Sequence, residues 1–102
     1  MKNDKQTKIY DEIYKELMVN YQSLEETIKQ KKEEKNVLKL KNELYNKCLD
    51  DHLLEKGSKF IKEHLEENKQ KVKDIDREVE ELLIKKDAFR IELEVFQKEF
   101  RD

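Results

Sequence analysis

Proline is absent from this chain of 102 residues, tryptophan is absent too, and glycine and cysteine occur once each, as Gly57 and Cys48. Without proline no helix break is imposed from within. A single glycine supplies no glycine-rich loop to cradle a phosphate. One cysteine excludes an intrachain disulfide and gives no sign of an oxidising compartment. No stretch approaches the ~20 apolar residues of a membrane span. The start, Met1-Lys2-Asn3-Asp4-Lys5, is polar, unlike the apolar core of a signal peptide. These absences lead to the expectation of a soluble, intracellular protein, cytoplasmic or nuclear.

Charge of one sign is lacking as well. The 23 basic and 25 acidic residues are interspersed and leave a net charge of −2. A surface built for nucleic acid would show a basic excess on one face. The run Lys29, Lys31, Lys32, Lys35 is broken by Glu33 and Glu34 and reads as a solvated helix face.

What is present is charge, 47% of residues, and a small apolar fraction, 35%, that is largely periodic. Stepping alternately by four and three from Ile61 gives Leu65, Asn68, Val72, Ile75, Val79, Leu82, Lys86, Phe89, Leu93, Phe96 and Phe100. Only Asn68 and Lys86 in that series are polar. A 3.5-residue period held this long is the seam of a coiled-coil helix. Tyr10, Tyr14, Leu17, Tyr21, Leu24 and Ile28 follow the same alternation, and Leu38, Tyr45 and Leu49 resume it after Lys31 and Lys35. Asn42 interrupts it once more, and His52 ends it.

Gly57-Ser58 is the one turn-like dipeptide, glycine being common just past a helix and serine at an N-cap. The expected architecture is all-α, a single coiled-coil domain over 1–102. A helix over about 4–55 and a second over about 58–101 form a long antiparallel hairpin, joined by a turn at about 55–58. Oligomerisation would complete a helical bundle. Two rival arrangements are a break near Lys35-Asn36, giving three helices, and one continuous helix in a parallel dimer.

In an antiparallel pair, facing residue numbers sum to a constant. A sum of 117 stacks Lys31 on Lys86. A sum of 110 opposes Asn42 to Asn68, Tyr14 to Phe96 and Leu49 to Ile61. Two lysines repel whereas two amides satisfy each other, so the second register is expected, with the asparagines as a register lock.

Apolar residues off the seam form further stripes. Ile84, Ala88, Ile91 and Val95 repeat on the side of the helix away from Leu82, Phe89 and Phe96. Ile9, Ile13, Met18 and Val19 add apolar surface near the start, and Val37, Leu40, Leu44 and Cys48 make a smaller stripe in the middle. An exposed apolar stripe of this length points to an interface. Ile84, Ala88, Ile91, Val95, Ile9, Ile13 and Met18 are therefore the expected protein-contact residues.

Catalytic and metal chemistry find little support. Cys48 and His52 stand at i and i+4, with Asp51 between and His64 beyond the turn, but no second Cys/His pair completes a zinc site. Carboxylate pairs such as Asp50-Asp51, Glu66-Glu67 and Glu80-Glu81 lie on helix faces, with no cleft to give them different environments. The four tyrosines sit on the seam and read as half-buried core. The expectation is a non-enzymatic, cofactor-free interaction or assembly subunit that scaffolds a complex through helix packing. Its partner is another copy or a helical protein, not a small molecule. The alternative is a small regulatory or chaperone-like binder that sequesters a partner's helix.

Overall fold

In a computed structural model, which describes residues 4–52 and 54–100, the chain is all-α. Helix α1 spans Asp4–Asp51 and helix α2 spans Ser58–Phe100. They pair antiparallel as a hairpin, and no strand occurs among the described residues. Residue 101, the expected end of the second helix, lies outside the described residues. Lysine, glutamate and leucine dominate both helices and are strong helix formers. Neither helix contains proline or glycine, so α1 runs unbroken through Lys35 and Asn36, which rules out the three-helix arrangement.

The turn differs in detail from its sequence signal. Helix α1 stops at Asp51, four residues before the expected end. The His52 amide still donates to the Cys48 carbonyl, and two tighter turns follow, from the Glu55 amide to the His52 carbonyl and from the Ser58 amide to the Glu55 carbonyl. Gly57 does not terminate α1. Its carbonyl accepts from the Ile61 amide, so it occupies the N-cap of α2, and it has no positive φ. Ser58 Oγ donates to the Glu55 carbonyl, within the turn that precedes α2.

Two compact units divide the chain. The first combines 4–28 of α1 with 81–100 of α2. Its aromatic cluster brings Tyr10 edge-on to Phe96 at 6.1 Å and to Phe100 at 6.4 Å, while Phe96 stacks on Phe100 at 5.6 Å. Such edge and offset contacts add about 0.5–1.5 kcal/mol beyond area burial. Ile28 and Phe96 are its buried residues, and Lys86 Nζ lies 5.5 Å from the Tyr21 ring centre and 3.8 Å from Glu25.

The second unit is Lys29–Glu80. Leu38, Leu65 and Ile75 form its buried seam together with Asn68, and Tyr45 stacks on His64 at 6.1 Å. Lys31 reaches Glu78 at 2.8 Å and Lys35 reaches Asp76 at 2.5 Å, both across the hairpin. In each unit these partners obey the register that sums near 110, and Lys31 and Lys86 each face an acid.

The asparagine layer is a correction to the expected lock. Asn68 is buried, at 7% exposure, yet the Asn42 side-chain oxygen is also buried and has no hydrogen-bond partner among the described residues. The two amides do not satisfy each other. Asn42 and Val72 border a groove of about 500 Å³ lined also by Lys39, Glu66 and Gln70.

Candidate functional site

The exposed apolar faces are the surfaces with functional potential, and their position follows from helical periodicity. With the seam at heptad positions a and d, Leu82, Phe89 and Phe96 are d residues. Ile84 and Ile91 then fall at f, and Ala88 and Val95 at c. Those positions point directly away from the partner helix. The solvent exposure agrees: Ile84 is 71% exposed, Ile91 47% and Val95 48%, and Ala88 is exposed as well.

The flanks of this stripe carry ordered charge. Arg90 donates to Asp87 through Nε and Nη2 and to Glu94 through Nη1, at 2.8–3.1 Å. These bonds hold the guanidinium above its usual pKa, the hydrogen bond to Asp87 contributing most. Lys85 and Glu92 lie on the opposite edge, both exposed. Arg90 is thus committed to acids of its own helix.

The apolar residues of α1 do not extend that stripe. Ile9 and Ile13 are exposed and Met18 is half-buried. They fall at c, g and e of a helix whose a and d positions face α2, so Ile13 and Met18 flank opposite edges of the seam. The back of α2 is turned away from all three. Val37, Leu40 and Leu44 are exposed on the back of α1, while Cys48 is half-buried.

The seam residues behave as an intrachain core. Leu65, Asn68, Ile75 and Phe96 are buried, and Ile61, Val72, Val79, Leu82, Phe89 and Leu93 are half-buried. Phe100 remains half exposed beside Phe96. No large side chain among the described residues is fully enclosed. Two helices alone cannot surround a side chain, which is why the core stops short of full enclosure.

Sequence reasoning missed the acids Glu25, Asp76 and Glu78, which answer the three seam lysines, and the exposed Phe60. The signal for the acids was available: each lysine breaks the seam within reach of an acid in the 110 register.

Cys48, His52 and His64 form no metal-binding cluster, and no group of three or more His, Cys, Asp or Glu side chains suited to a metal occurs among the described residues. His52 instead contacts Glu55 at 2.6 Å and His64 stacks on Tyr45. No described helix is long and apolar enough to cross a membrane. No family model, no curated protein and no solved structure matches the chain.

Proposed function

We propose that this protein is a non-enzymatic interaction subunit whose hairpin presents the back of α2 to another helix. One observation carries the reading: Ile84, Ala88, Ile91 and Val95 are exposed on the side of α2 directly opposite the intrachain seam. A two-stranded hairpin has no structural use for a second apolar face. Contiguous exposed apolar surface of a few hundred Å² on a soluble protein marks an interaction site. The seam supports this division of labour, because it holds the hairpin without the stripe.

Ile84→Glu combined with Ile91→Glu tests the proposal. Sedimentation velocity should show the parent associating and the variant monomeric, while circular dichroism shows equal helicity. An associating variant would place the interface elsewhere, and loss of helix would make the stripe part of the intrachain core. A parent that stays monomeric at every accessible concentration would favour the regulatory, client-sequestering role instead.

A further inference from the structure

Resting on that reading, we infer that the occupant of the α2 stripe is a second copy of the same stripe, docked antiparallel about a two-fold axis between Phe89 and Arg90. The stripe is self-complementary in one register. When facing numbers sum to 179, Ile84 meets Val95 and Ala88 meets Ile91, each twice. The next outward positions on the same face, Glu81 and Lys98, then meet each other and close both ends with opposite charges. Isologous two-fold contacts require this kind of match of a surface with itself.

Neighbouring registers fail. A slip of one heptad in one direction sets Ile91 against Glu81, and in the other sets Ala88 against Lys98. Parallel in-register pairing would place Glu81 on Glu81 and Lys98 on Lys98, and like charges across a seam are destabilising. The antiparallel register also brings Lys85 opposite Glu92 of the second copy along one edge. The other edge opposes Asp87 to Glu94, and there Arg90, already bonded to both acids of its own helix, offsets the repulsion.

The Val37–Leu40–Leu44 stripe of α1 lacks such a solution. Facing Leu40 with Leu44 leaves Val37 opposite Lys47. The α2 contact is small, with four apolar residues per copy, well below the roughly 1,200 Å² of a standard stable interface. The dimer it forms is accordingly weak and concentration-dependent.

Cysteine pairing tests the orientation. In full-length chains carrying Cys48→Ser, one population receives Glu81→Cys and another Lys98→Cys. Under mild oxidation the mixture should form the mixed disulfide roughly tenfold faster than either population forms its own, because facing sites share a raised effective concentration. Faster self-crosslinking of either single population would overturn the antiparallel register. Association that depends on Ile84 and Ile91 without the mixed crosslink would also overturn it, while leaving the interaction role intact. Association indifferent to Ile84 and Ile91 would overturn both.

Discussion

At the scale of single residues, the polar seam positions are resolved in two different ways. Lysine is long enough to leave the seam and find an acid: Lys31 meets Glu78, Lys35 meets Asp76 and Lys86 meets Glu25. Asparagine is too short to escape, and Asn42 keeps a buried oxygen without a partner. A buried unsatisfied acceptor costs about 1–3 kcal/mol. Asn42→Leu should therefore raise the urea midpoint by a corresponding amount, and a fall in stability would show that the amide is satisfied in solution. The Lys31 pair has a defined pH signature. Its hydrogen bond and attraction to Glu78 raise the ammonium pKa above 10.5, so the folded state binds that proton more tightly than the unfolded chain. The contribution is complete below 10.5 and is lost as pH rises through the raised value. The stability gap between parent and Glu78→Gln should stay level from neutral pH to about 9 and close at higher pH. Both side chains are partly exposed, so solvent screening keeps that gap small.

At the scale of the elements, the helix ends are less well made than the helix bodies. No basic residue occupies the last turn of α1, which ends in Asp50 and Asp51. Carboxylates at a C-terminus oppose the partial negative charge of the unpaired carbonyls, typically by 0.3–1 kcal/mol each at low salt. Asp51→Lys should raise the melting temperature at low ionic strength, with the gain shrinking as salt screens it. A salt-independent gain would point to a contact in place of the dipole. The early stop of α1 belongs to this scale as well. Helix-forming composition continues past Asp51, but reversing the chain within a few residues requires successive tight turns, which take over at His52.

At the scale of the whole molecule, the intrachain seam and the exposed apolar stripe occupy opposite faces of α2. Cysteines at Asn42 and Asn68, in a Cys48→Ser background, should crosslink within one chain at a rate independent of dilution, as read on a non-reducing gel. Exclusively intermolecular crosslinks would reject the hairpin. Association through Ile84 and Ile91 should weaken on dilution, so the two contacts separate by concentration alone.

The sequence by itself determined the all-helical character, the seam shared by both halves and the register near 110, while the unbroken run of α1 through Lys35 and Asn36 came from the structure. Heptad spacing selects the buried positions, and like charges exclude the register that would stack Lys31 on Lys86. The α2 stripe was equally legible, since a helical residue's face follows from its number alone. Only the tertiary structure decided how the polar layers are settled. The 110 register already sets an acid within reach of each seam lysine, but whether two asparagines bond depends on distances of an ångström or less, which periodicity does not contain. The same holds for Gly57: a turn signal marks where the chain reverses, but the closing hydrogen bonds assign that residue to the start of α2.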